Sequence, residues 1–175
     1  WSYAFLRWFH NRASTIMVAT ASLQRELRER GFGNPSIWSR GVDTDLFRPR
    51  PDLQGPHPLG LTRPVYLYVG RVAVEKNIEA FLNADLPGSK ALAEAYAAAD
   101  CFVFPSRTDT FGLVLIEALA AGTPVAAYPV QGPLDVIGSH PAGALDEDIE
   151  QAARRALNIP RETARDFALG FSWEA

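Results

Sequence analysis

Three runs in this chain are apolar on consecutive rather than alternate residues: VYLYVG at 65–70, CFVFP at 101–105 and PVAAYP at 124–129. A strand that is apolar on both faces has to be covered on both, which is the situation of a parallel sheet between layers of helix. The segments between them carry helical patterns. EKNIEAFLNA opens on charge and sets Ile78, Phe81 and Leu82 on one side, and ALAEAYAAA, LVLIEALAAG, PLDVIGS and DEDIEQAARRAL follow. Strands alternating with helices of this length predict βαβ units and an α/β fold, a doubly wound parallel sheet. In such sheets ligands bind beyond the carboxyl ends of the strands. Two segments, GRVAVEKN and PSRTDTFG, lie at those ends.

The first 50 residues have a different character. SYAFLRWFHNRA reads as an amphipathic helix, STIMVAT as a β-branched strand, SLQRELRERGFG as a helix closed by glycine, and PSIWSRGVDTDLFRPRP as a strand running into a loop. This α, β, α, β succession is too short to close a sheet of its own. The Pro- and Gly-rich stretch from Arg48 to Pro64 marks a linker. The aromatic stripe from Tyr3 to Phe9 has two readings: packing in a core, or docking at a membrane that carries a lipid acceptor.

Bulk properties exclude several classes. A net charge of −3 provides no field to gather nucleic acid or anionic lipid. The one cysteine, Cys101, rules out a disulfide framework or a Cys-based zinc site, and inside CFVF it reads as a buried strand residue. No stretch approaches the ~20 apolar residues of a membrane span, and no signal segment is apparent, so a soluble cytoplasmic product is expected. The chain opens on Trp rather than Met, so further sequence is expected before Trp1.

In GRVAVEKN, Gly70 allows a tight exit from the strand, and Arg71 and Lys76 bring two cations to the start of the next helix. A bidentate guanidinium, a point-charge ammonium and a helix N-terminus together suit a diphosphate. The competing reading is an exposed Arg with Lys76 paired to Glu75 or Glu79 on the helix surface. DTFGLVLIE is more specific. A helix from Leu113 would start with amides from Phe111 to Val114 aimed at the same crevice, with Asp109 at its mouth. Glu117, further along, could accept from both hydroxyls of a ribose diol. The alternatives are a turn or N-cap role for Asp109 and a solvated helix acid at 117. Against the second stand the apolar neighbours Leu115, Ile116, Ala118 and Leu119.

GRVAVEKN followed by PSRTDTFGLVLIEALAAGTPVAA resembles the donor-binding half of the retaining glycosyltransferases of family 4, which have the GT-B fold of two facing Rossmann-like domains. RGVDTDLFRP looks like the family's crossing between domains, and WSRGVDTDLFRP most resembles its bacterial GDP-mannose-dependent mannosyltransferase-like branch. The resemblance implies a Rossmann-like C-terminal GT-B domain preceded by a remnant of the acceptor domain. On this reading, residues 1–49 end the acceptor domain and cross over, 50–64 link, and 65–175 bind the nucleotide sugar. It implies that Arg71 and Lys76 bind and stabilise the departing diphosphate, that Asp109 holds the transferred sugar, and that Glu117 holds the ribose. Gly70, Thr110, Phe111, Gly112 and Leu113 complete the donor site. The implied reaction moves a hexose from GDP-mannose, or second a UDP-hexose, to a glycan or lipid acceptor with retention. No cofactor or metal is implied, and no Asp-x-Asp pair lies near the crevice. The non-catalytic alternative is a nucleotide-sugar binding module. A dinucleotide oxidoreductase is disfavoured because VGRVAVEKN lacks the G-x-G-x-x-G turn.

Two departures from the family pattern stand out. Asp109 takes a position where the family usually has Glu, one methylene longer. Also, NADLPGSK runs straight into ALAEAYAAAD, so a β-α-β unit of about 30 residues is missing between Lys90 and Ala91. Its loss would remove a central strand and expose both neighbours, so residues omitted from the printed sequence are expected there. The larger acceptor domain is likewise expected ahead of Trp1.

Overall fold

The computed structural model describes residues 2–38, 40–70, 89–108 and 112–173. The helix expected at EKNIEAFLNA lies outside them. The chain divides into two compact units, 1–40 and 41–175.

In the first unit, helix α1 (Ser2–His10), strand β1 (Ile16–Val18), helix α2 (Ala21–Glu29) and strand β2 (Pro35–Ile37) follow the order read from the sequence. β1 and β2 pair in parallel, Met17 opposite Ser36. Thr20 caps α2 by accepting from the Leu23 amide at 3.2 Å. Gly31, at φ +77°, ends it. The Asn11 side chain ties the end of α1 to this turn, donating to Gly31 O and accepting from Gly33 N at 2.7 Å. The Tyr3 ring lies under the Arg30 guanidinium, which is 4.1 Å from the ring centroid. Phe5, Trp8 and Phe9 are 62%, 58% and 59% exposed, so the stripe is not core within this chain. Among the described residues no helix is long and apolar enough to cross a membrane.

The second unit holds a four-stranded parallel sheet in the order β3 (Tyr66–Leu67), β4 (Cys101–Phe104), β5 (Val125–Ala127), β6 (Gly143–Leu145). Helix α3 (Ser89–Ala98) precedes β4 and runs through the Lys90–Ala91 junction; α4 (Leu113–Ala120) and α5 (Gln131–Val136) make the next crossovers; α6 (Ile149–Ala156) and α7 (Arg161–Leu169) follow β6. Alternation of side chains divides the core into two layers. Cys101, Val103, Ala126 and Ala144 pack on Ala152, Ala153 and Ala156 of α6. On the other face Phe102 meets Tyr96 of α3 edge-on, with ring centroids 5.4 Å apart. Cys101 is fully buried, and burial with the neighbouring Asp100 charge pushes its thiol up to about 12, so it is a packing residue.

β3 and β4 are bonded to each other, Tyr66 opposite Cys101, and β4 is bonded to β5. A strand has only two edges, so both edges of β4 are paired. β3 and β6 are the edge strands of this sheet among the described residues.

Residues 41–64 belong to this unit. Val42 bridges Ser172, and Phe47 is buried against Tyr96. Arg63 pairs with Asp100 at 2.5 Å and donates to Leu53 O and Gly55 O, while Asp100 accepts from the Val65 amide. Two arginines of α7 complete the unit. Arg161 donates to Ala97 O and Ala99 O at the C-terminus of α3, and Arg165 donates to Ala120 O at the end of α4 and to Thr44 O and Phe47 O. Each guanidinium answers carbonyls that a helix end leaves unbonded. Arg161→Ala should therefore lower unfolding stability by about 1 to 3 kcal/mol, measured by urea denaturation, because the α3 carbonyls lose their donor.

Candidate functional site

The carboxyl ends of the four strands converge on one edge of the sheet, and each exit carries a residue with chemistry. β3 leaves through Gly70. A Cβ placed there would press on the hydroxyl end of the buried Tyr68 ring, which would have to shift to admit a side chain. β4 leaves through Pro105 and Ser106, whose buried hydroxyl donates to Thr108 O at 3.3 Å. Arg107, Tyr128 and Glu147 stand at the exits of β4, β5 and β6. The Arg107 guanidinium lies 3.8 Å from the Tyr128 ring centre and 3.1 Å from the Glu147 carboxylate.

α4 starts where the motif placed it. Gly112 is its N-cap in the left-handed conformation, φ +72° and ψ +59°, and a Cβ there would also press on Leu115 Cδ1 at 2.7 Å. The cap residue offers no side-chain bond to the helix, so the first turn, with Leu113 at its head and 42% exposed, is built from backbone alone. Leu115, Ile116, Ala118, Leu119 and Ala120 are all buried.

Glu117 is half-buried among them, which excludes the solvated-acid reading. Burial raises its pKa above the ordinary carboxylate value, and a hydrogen bond from the Tyr96 hydroxyl, 3.2 Å from Oε2, partly offsets that rise. Burial and the adjacent carboxylate push the Tyr96 hydroxyl far above the usual tyrosine range, so it stays a donor.

Of the residues singled out in the sequence, Gly70, Gly112, Leu113 and Glu117 are described. Arg71, Lys76, Asp109, Thr110 and Phe111 lie outside the described residues. Sequence reading missed Tyr96 and the Arg107–Tyr128–Glu147 group. The signal for Tyr96 was a lone polar aromatic in an alanine-rich helix. Among the described residues no group of three His, Cys, Asp or Glu could hold a metal ion.

Residues 85–167 match the family Glycosyl transferases group 1. Across 98% of its length the chain is 28% identical to a GDP-mannose-dependent alpha-mannosyltransferase of Mycobacterium tuberculosis, of which it covers 56%. That alignment runs over 213 positions against 175 residues here, so at least 38 of them have no counterpart in this chain. The chain spans about half the length of the curated relatives it matches. Sucrose-phosphate synthase from Thermosynechococcus elongatus superposes with a TM-score of 0.77 at 23% identity, covering 98% of this chain and 58% of that one. The Anabaena protein Alr3699/HepE, in complex with UDP-glucose, gives 0.73 at 18%, covering 97% and 63%. The shared fold is the parallel α/β architecture of GT-B glycosyltransferases.

A half-buried acid has a cost that pH exposes. Its pKa is higher in the folded than in the unfolded chain, so the folded state holds the proton longer, and stability falls as pH rises from about 4.3 through the raised folded value. Glu117→Gln should remove that fall. Denaturation of parent and variant across pH 4 to 8 should show the variant gaining relative stability as pH rises.

Proposed function

We propose that this chain is the donor-binding part of a glycosyltransferase that moves a hexose from a nucleotide-diphosphate sugar to an acceptor hydroxyl. The observation that carries this reading is the half-buried Glu117 carboxylate, held by Tyr96 one turn behind the glycine-capped start of α4 at the carboxyl edge of a parallel sheet. A carboxylate placed there can accept from two vicinal hydroxyls of a ribose. Arg71, Lys76 and the α4 amides would take up the charge that grows on the departing diphosphate, an interaction stronger in the transition state than in the ground state. Two cations meet that charge without a metal. Asp109 would hold the sugar, and transfer would proceed with retention.

GDP-mannose is the first donor to test, supported by the mycobacterial relative, and UDP-glucose is the second, supported by the ligand of the Anabaena structure. The acceptor would be a glycan or lipid hydroxyl. The reading places the protein in the cytoplasm, where nucleotide sugars serve as donors. A second reading is a nucleotide-sugar binding module without turnover. Turnover of either donor by the chain decides between the two.

The two acids should fail differently. Glu117→Gln should weaken free GDP or UDP and the intact donor alike, by calorimetry. Asp109→Asn should leave free nucleotide almost unaffected and slow transfer roughly 10-fold or more. Equal loss of nucleotide affinity in both variants would refute the assignment of one acid to each end of the donor. Arg71→Ala and Lys76→Ala should each weaken nucleotide diphosphates by about 1.5 to 3 kcal/mol, and unchanged GDP and UDP binding in both would remove the diphosphate clamp.

A further inference from the structure

We propose that Tyr96 is a positioning residue, whose buried hydroxyl orients the Glu117 carboxylate for binding the nucleotide. This rests on the donor-site reading of Glu117. Tyr96 is wholly inaccessible, and its ring is fixed between Phe47 at 5.9 Å and Phe102 at 5.4 Å. Its backbone is fixed as well, since Tyr96 O accepts from the buried Thr123 hydroxyl at 2.5 Å. A ring and backbone held on three sides leave the hydroxyl one direction, and the group it meets there is Glu117 Oε2.

The consequence is geometric. A glutamate on a helix has three side-chain torsions to settle, and each unsettled one lowers the fraction of molecules ready to bind. A hydrogen bond to one carboxylate oxygen fixes the group and leaves the other oxygen and the remaining lone pairs for the ligand. Among the described residues, Tyr96 is the one titratable group acting on Glu117, so it also determines how far the acid's pKa rises on burial. Removing the hydroxyl should move the pKa of Glu117 further up. Because the carboxylate is the binding form, nucleotide affinity would then be lost at a higher pH as the solution is acidified.

The test is calorimetric binding of GDP and UDP to the full chain across pH 5 to 8, for the parent, Tyr96→Phe, Glu117→Gln and the double variant. Tyr96→Phe keeps the ring packing. It should bind ~3- to 10-fold more weakly at pH 7, with the acid-side loss displaced to higher pH. In the Glu117→Gln background the same change should add nothing. If Glu117→Gln weakens binding while Tyr96→Phe matches the parent in affinity and pH profile, the positioning role is wrong and the donor-site reading stands. An equal loss from Tyr96→Phe in both backgrounds also overturns it, as a general packing effect. If Glu117→Gln itself binds like the parent, the donor-site reading falls and the positioning role with it. Independently of how the variant folds, the Tyr96 hydroxyl proton of the parent chain should be protected from solvent exchange by NMR and lose protection in Glu117→Ala. An unprotected proton in the parent overturns the proposal.

Discussion

Parallel pairing of β4 with β5 is the constraint on which the rest of the second unit depends. Phe102 opposite Val125 and Phe104 opposite Ala127 require the chain to cross back over the sheet between them, and α4 is that crossover. Repetition at β5 and β6 brings every strand exit to one edge. The site is assembled there because parallel strands deliver successive loops to the same place, which an antiparallel sheet of the same length would not.

Within that frame two residues decide the geometry of α4. Gly112 takes a left-handed conformation that a side chain would oppose both intrinsically and through Leu115. Glu117 accepts a half-buried position that burial alone disfavours. A fold optimised for stability would place a leucine at 117, continuous with Ile116 and Ala118. A half-buried acid with a raised pKa and a buried hydroxyl donating to it is a local conflict between stability and sequence, of the kind that nominates a residue for function.

The second unit is also held together from outside the sheet. Arg161 and Arg165 of α7 answer the carbonyl ends of α3 and α4 and fasten residues 44–47 beside them. Arg63 and Asp100 fasten the stretch before β3 to the start of β4. These partners are separated by 35 to 121 positions. They explain why a Pro- and Gly-rich stretch that reads as a linker packs against the sheet unit.

The sequence by itself determined the class of fold, the strands β4 and β5, the start of α4 at Gly112, and Glu117 as an acid among apolar neighbours. Each is encoded locally, in consecutive apolar residues, a glycine before a helical pattern, or the character of adjacent side chains. It did not reveal β6, whose three residues Gly143–Leu145 carry almost no β-branched signal, nor α7, a short polar helix after Pro160. Nor could it order β3 beside β4 or set Tyr96 against Glu117, 21 positions away. Those were decided by the tertiary structure, because a strand's neighbour and a buried hydroxyl's acceptor depend on which surfaces meet once the sheet has formed. No window the length of one helix or strand contains both partners.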